Sequence, residues 1–215
     1  MAGNADWNKL AAIPERLAAV PEWAAFAEFA TLRSRGLRAE AMKSLKGFVD
    51  DAAAWEFASR LRFTKWALQE SRKYSDPNFF LPQPAQERLV LPTVREWLAA
   101  EPTDAEPHLW LGLLRCDDPF AHLERALELD PSCEIARQTL AHWILADVDY
   151  NQHELPSFYI HDARHDLRAL DKVLRLTDGS SGGWTTEVRL EVVALQARAA
   201  EWLKRHPRPG DFAVH

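Results

Sequence analysis

A chain of 215 residues with 47% hydrophobic content is long enough to bury a sizeable core, so its stability requires no disulfide framework or structural metal. Its two cysteines, Cys116 and Cys133, lack metal-ligand spacing, and no run of eighteen apolar residues predicts a membrane helix. The N-terminus shows no signal-peptide pattern, so we expect a soluble protein of the reducing cytoplasm without membrane contact.

The net charge of −6 is unevenly distributed along the chain. Residues 33–73 hold ten Lys or Arg against five acids, whereas residues 96–134 hold ten acids against two Arg. Such segments are typical of solvated helix faces. The acidic segment is also suited to steering a basic partner toward the protein.

Prolines and one glycine mark predicted helix ends. Proline suits the first helical turn, because its missing N–H would have no partner there. The predicted starts lie at Pro21, Pro84, Pro107 and Pro119. Gly36 is expected to follow the end of a helix as its C-terminal cap.

Residues 50–74 begin with acids and end in cations, which complements the helix dipole and predicts a single helix. The following residues, 75–84, contain three prolines and interrupt the helical pattern. Phe79 and Phe80 lie in this interruption, and we expect both side chains to be exposed.

Apolar residues recur at helical spacing toward the C-terminus, for example at Val188, Val192 and Leu195, and no segment shows strand alternation. The sequence therefore predicts an all-α chain. An N-terminal helical portion covers 1–75 and a second helical portion covers 84–205. We expect the two to form one compact unit.

A repeat of about thirty residues is visible in the second portion. The segments "EWLAAEP" and "ALELDP" end at Pro102 and Pro131, and each is followed by a new helical start. A leucine followed by a small residue occurs at Leu111-Gly112 and again at Leu140-Ala141, and Ala126 opens the second ending.

These features resemble the tetratricopeptide repeat (TPR) family over residues 94–178. The resemblance implies a right-handed array of antiparallel helical hairpins, a TPR-like α-α superhelix whose groove in the family commonly binds peptides or protein segments. Two departures are present: Arg115 stands at the usual aromatic position, and the first repeat is short between Gly112 and Ala126.

Residues 147–161 are predicted to form an insertion between the helices of the second repeat. Loops on a rigid scaffold commonly carry function. The predicted binding contacts are Tyr150, Asn151, Gln152, His153 and Glu154 in this insertion, with Asp117 and Asp118 in the acidic segment. The apolar residues expected to pack back on the core are Leu155, Phe158, Tyr159 and Ile160.

An alternative hypothesis concerns the histidines of the same region. On a helix, His161 and His165 would share one face and could hold a metal with His153 or Glu154 as third ligand. Asp162 would then act as the base of a metal-dependent hydrolase. The competing interpretation makes Asp162 a helix cap and places Asp166 favourably for the helix dipole. On that interpretation no metal or other cofactor is required.

The favoured hypothesis is a non-enzymatic adaptor or scaffold that binds a protein or peptide, and the acidic segment suggests a basic partner. A minor alternative is nucleic-acid binding through residues 33–73, where Arg60, Arg62, Lys65 and Trp66 combine cations with an aromatic ring. The acidic total charge and the lack of a recognition motif disfavour this alternative.

Overall fold

The chain is all-α. A computed structural model describes residues 4–180 and 182–206, with no side-chain description for Asn4, and these residues form helices without any β-strand. None of the helices in this part of the chain is both long and apolar enough to cross a membrane. The chain divides into two compact units, Met1–Trp110 and Leu111–His215. This division lies further along the chain than the interruption at 75–84 that the sequence suggested.

The first unit contains eight helices among its described residues, and a ninth begins at its end. They are α1 (Asn4–Ala11), α2 (Ile13–Leu17), α3 (Ala24–Ser34), α4 (Arg38–Ala52), α5 (Phe57–Ser71), α6 (Pro77–Phe80), α7 (Gln83–Ala85), α8 (Leu91–Ala100) and α9 (Ala105–Leu113). A 3-10 turn (Pro21–Trp23) precedes α3, and a π-helical turn (Gln86–Val90) joins α7 to α8. Pro21 and Pro84 thus lie in first helical turns, as predicted.

The core of the first unit is aromatic, and it includes two residues that were predicted to be exposed. Phe79 and Phe80 are 6% and 0% exposed, so that prediction was wrong. The Asp76 side chain caps α6, and this short helix carries Phe80 to stack on Tyr74 with ring centroids 4.9 Å apart. The Phe26 ring packs edge-on against the Phe80 ring, with centroids 5.5 Å apart. The free energy gained by burying these large rings outweighs the preference of the polar, proline-rich segment for an exposed position.

Two predicted helix ends in the first unit have opposite outcomes. Gly36 has a φ of 78° and follows α3, which confirms it as a C-terminal cap. The single helix predicted over 50–74 is wrong, because α4 ends at Ala52 and α5 begins at Phe57. In the turn between them, Trp55 packs edge-on against Phe48 at 5.5 Å.

The second unit is built from consecutive helices that each contact the next. They are α10 (Pro119–Leu129), α11 (Glu134–Asn151), α12 (Ala163–Thr177) and α13 (Trp184–Arg205), preceded by the end of α9. Contacts also join α11 to α13. The predicted stripe of α13 is confirmed, since Val188, Val192 and Leu195 are at most 1% exposed. Because α11 continues to Asn151, the connection to α12 is shorter than the predicted insertion.

Small residues allow close helix packing in this unit. A Cβ placed on Gly112 would lie 2.7 Å from the Leu123 side chain and 3.2 Å from the Pro119 carbonyl oxygen, so the end of α9 and the start of α10 are in direct contact. Leu140, Ala141 and Ala126 are all fully buried. Both leucine-small pairs therefore lie at buried positions.

Candidate functional site

Three adjoining cavities of the second unit form a groove across α10, α11 and α12. Their volumes are about 300, 480 and 430 Å³, and Asp147 of α11 lines all three. Phe120 is shared by the first two, and His165 and Arg168 are shared by the last two. We call this continuous surface the α11 groove.

The α10 end of the groove is aromatic. Its cavity is lined by Phe120, Trp143 and Tyr150, with Arg115 beside them. Phe120 and Trp143 pack edge-on at 5.8 Å, and the Arg115 guanidinium lies over the Trp143 ring at 4.5 Å. Phe120 is 37% exposed and Tyr150 is 62% exposed. Exposed aromatic surface next to a cation is characteristic of protein and peptide binding sites.

Along α12 the groove wall is cationic. Arg168, Lys172 and Arg175 stand at i, i+4 and i+7, so they lie on one face of the helix. Lys172 forms an ion pair with Glu124 of α10 across the groove. Arg168 and Arg175 are exposed, and neither forms an ion pair with a residue that the structure describes.

The remaining end of the groove lies where α12 begins. His161, Asp162 and His165 line its cavity together with Asn151 at the end of α11. The Asp162 carboxylate accepts a hydrogen bond from the Arg164 backbone N–H at 2.9 Å. Its prediction as a helix cap is therefore confirmed.

A buried polar network lies beneath this end of the groove. The Asn151 side-chain amide donates to the Asp166 carboxylate at 3.1 Å, and the Tyr159 hydroxyl donates to the same carboxylate at 2.8 Å. Gln152 donates to the Tyr159 oxygen at 2.9 Å and to the Leu195 carbonyl at 3.1 Å. The network therefore fixes the end of α11, the connection and the start of α12 against α13.

Burial determines the electrostatics of this network. Asp166 is 1% exposed, and desolvation raises the pKa of its carboxyl, although the hydrogen bonds from Tyr159 and Asn151 act in the opposite direction. Burial also raises the pKa of the Tyr159 hydroxyl, and its bond to Asp166 adds to that effect. No Lys or Arg ion pair to this carboxylate is present among the described contacts, so neutral donors hold it.

The structure distributes the predicted contact residues over different surroundings. Tyr150 and Asn151 line the groove. Gln152 is buried in the network, so it faces the protein interior. His153 and Glu154 are exposed and pair with each other at 2.9 Å, while the His153 ring stacks on Tyr150 at 5.0 Å. Of the two acids before α10, Asp118 caps that helix through the Ala121 N–H, and Asp117 has a φ of 53° in the connection.

The apolar residues of the same connection also differ in how deeply they are buried. Tyr159 is buried and packs with Ala163, Ala199 and Trp202, and Leu155 lies against this cluster. Phe158 is 51% exposed, so its predicted packing on the core was wrong. A fourth cavity of about 420 Å³, lined by Leu155, Trp202 and neighbouring residues, shares no lining residue with the α11 groove.

The histidine pair is not arranged on one helical face. His161 precedes α12, which begins at Ala163, whereas His165 lies within its first turn. Within 4–180 and 182–206, no three His, Cys, Asp or Glu side chains are grouped so that they could hold a metal ion. The two alternative third ligands proposed from the sequence, His153 and Glu154, pair with each other, and the His153 ring also contacts the Tyr150 carbonyl oxygen.

We expect protein purified without chelator to contain well under one equivalent of zinc, manganese, nickel or iron. A catalytic zinc ordinarily takes three protein ligands, and His161 and His165 supply two at most. Elemental analysis of the parent and of a His161→Ala/His165→Ala variant tests this expectation, and the two should agree. One equivalent of metal in the parent, lost in the variant, would favour the hydrolase hypothesis and make Asp162 and Glu154 its candidate bases.

The basic and aromatic cluster of the first unit is occupied by internal contacts. Arg60 pairs with Glu96, and Arg62 pairs with Glu22. Lys65 pairs with Glu106 at 3.2 Å and lies over the Trp97 ring. Trp66 packs among core rings, 5.1 Å from Trp23. These carboxylates neutralise the cations that phosphate binding would require.

Sequence reasoning did not identify the cationic wall of the α11 groove or its central acid, Asp147. A signal was present, because cations recur at helical spacing opposite the leucines at 167, 170 and 174. These cations are Arg164, Arg168, Lys172 and Arg175. Trp143 is partly buried and also lines the groove.

No protein family, curated protein or solved structure matches this chain. The resemblance to tetratricopeptide repeats therefore stays a prediction carried by residues 94–178. In the second unit, the α11 groove combines three adjoining cavities with exposed aromatic and charged side chains. Such a surface is suited to binding an extended ligand.

Proposed function

We propose that the second unit is a non-enzymatic module that binds a peptide or protein segment in the α11 groove. The observation that carries this proposal is the continuity of three cavities through the shared residue Asp147. A groove that crosses three successive helices can hold several residues of an extended segment. A small compact metabolite would fill only one of its cavities.

The finer arrangement that we propose is a TPR-like array of helical hairpins. The support is the order of contacts α10–α11, α11–α12 and α12–α13, together with the additional contact between α11 and α13. Close approach at Gly112 and full burial of Ala126 and Ala141 fit hairpins whose small residues pack at helix crossings. Stacked hairpins leave a continuous concave surface, which is a common binding surface of repeat proteins.

Aromatic side chains are expected to supply most of the binding energy. A few residues usually dominate an interface, and Tyr and Trp are enriched among them. Phe120, Trp143 and Tyr150 already form one apolar surface within the groove. We therefore place the apolar anchor of the bound segment in the cavity of about 300 Å³ at the α10 end.

The test is a selection from a random-peptide display library on the intact chain, followed by affinity measurements on synthetic copies of the enriched peptides. We expect a Phe120→Ala/Tyr150→Ala variant to bind them roughly tenfold or more weakly, because aromatic anchors carry a large share of the binding energy. The matched control is Leu190→Ala/Val193→Ala, which removes two exposed apolar side chains from α13. Equal affinities for parent and groove variant, or no enriched peptide, would contradict the proposed function.

A further inference from the structure

Two arginines of the α11 groove have no carboxylate partner among the described residues. Arg168 and Arg175 are exposed on α12, seven positions apart, and both line the cavity of about 480 Å³. Lys172 between them differs, since it is paired with Glu124. An exposed arginine on the wall of a groove is a ready partner for a carboxylate, because its planar guanidinium can donate two parallel hydrogen bonds.

The acids of the groove do not neutralise these arginines. Glu124 is engaged with Lys172, and Asp162 caps α12. Asp147 stands on the facing helix and makes no ion pair with a described residue. Its carboxylate can only accept hydrogen bonds. It is therefore suited to the backbone N–H groups of an extended segment that lies between α11 and α12.

Resting on the proposed function, we propose that the partner is an acidic peptide with an apolar or aromatic anchor. The anchor enters the cavity of Phe120, Trp143 and Tyr150, and two carboxylates of the peptide bind Arg168 and Arg175. Seven helical residues span roughly 10.5 Å, which an extended peptide covers in about three residues. The two acidic side chains should therefore lie about two to four positions apart.

This partner has the opposite charge to the one suggested by the acidic segment 96–134. Several acids of that segment already have internal partners. Glu96 pairs with Arg60, Glu106 with Lys65, and Glu124 with Lys172. A count of charges along the sequence includes these neutralised acids, whereas a ligand in the groove meets Arg168 and Arg175 on the α12 wall.

The experiment uses the peptides enriched by display selection on the intact chain. Each is synthesised in its native form and with every Asp and Glu replaced by Asn and Gln. We expect the neutral copies to bind roughly tenfold or more weakly, and we expect affinity for the native peptides to fall as salt rises from about 0.05 to about 0.5 M.

Charge reversal on the protein provides the second arm. The Arg168→Glu/Arg175→Glu variant should lose roughly tenfold or more in affinity for the acidic peptides, because attraction is replaced by like-charge repulsion. The matched control, Arg125→Glu/Lys204→Glu, changes the net charge equally at exposed positions that do not line the groove. It should retain parental affinity.

The outcomes separate the two proposals. Enriched peptides that are neutral or basic, and that still lose affinity in the Phe120→Ala/Tyr150→Ala variant, would overturn the acidic partner while leaving peptide binding in place. Equal losses in the groove and control charge variants would also overturn it, since net charge would then be the cause. If no peptide is enriched, both the proposal of peptide binding in the α11 groove and the proposal of an acidic partner fail.

Discussion

A Leu140→Asp variant should fail to fold its second unit. Leu140 lies on α11 and is 0% exposed, so an aspartate there would place a charge among packed helices without a partner. Burying an unpaired charge costs several kcal/mol or more, against a total stability of roughly 5–15 kcal/mol. The expected result is a large loss of helical circular dichroism and rapid proteolysis within residues 111–206.

The control for this variant is Gln138→Asp on the same helix. Gln138 is exposed, so the new carboxylate stays in water and the melting temperature should change little. Limited proteolysis followed by mass spectrometry reports which unit is cleaved. Unchanged melting of Leu140→Asp would show that Leu140 does not lie between packed helices, and the hairpin arrangement would then be wrong at α11.

The second large effect is expected at Asp166. Replacing it with alanine leaves the Tyr159 hydroxyl and the Asn151 amide without their buried acceptor. Each unsatisfied buried group costs about 1–3 kcal/mol, so we expect a loss of about 3 kcal/mol in the free energy of unfolding. Urea denaturation at neutral pH, followed by circular dichroism, measures this loss. An Asp166→Asn variant keeps an acceptor and should lose less.

The pH dependence of the free energy of unfolding separates the effect of the Asp166 charge from the effect of its side-chain shape. Because burial raises the pKa of this carboxyl in the folded state, its ionised form destabilises the protein, and protonation relieves that cost. The free energy of unfolding of the parent should therefore rise relative to Asp166→Asn as the pH falls through the raised pKa toward the ordinary value. A difference that is constant with pH would contradict this explanation.

Helices and their ends were the best-predicted features, because their signals are local. The stripe of α13 is visible in the spacing of Val188, Val192 and Leu195, and all three are buried. Gly36 and Asp162 were identified as caps from residue type and position alone, and both act as caps. A cap bonds to groups within a few residues, so neighbouring sequence is sufficient to predict it.

Features that depend on distant contacts were predicted less well. Phe79 and Phe80 lie in a proline-rich segment that reads as exposed, yet Phe80 packs on Phe26, which is far away in the chain. Asp166 was expected only to favour the dipole of α12, whereas it also holds Asn151 and Tyr159 in a buried network.

The sequence by itself determined the helical class of the chain, the stripe of α13 and the caps of α3 and α12, because periodicity and capping are short-range properties. Tertiary structure alone decided which charges remain available. In the sequence, Arg168 and Lys172 are both cations at helical spacing, and nothing local tells which of them is paired. Folding places Glu124 against Lys172 and leaves Arg168 on the groove wall. The groove itself arises from the packing of α10, α11 and α12, since no single helix contains a concave surface.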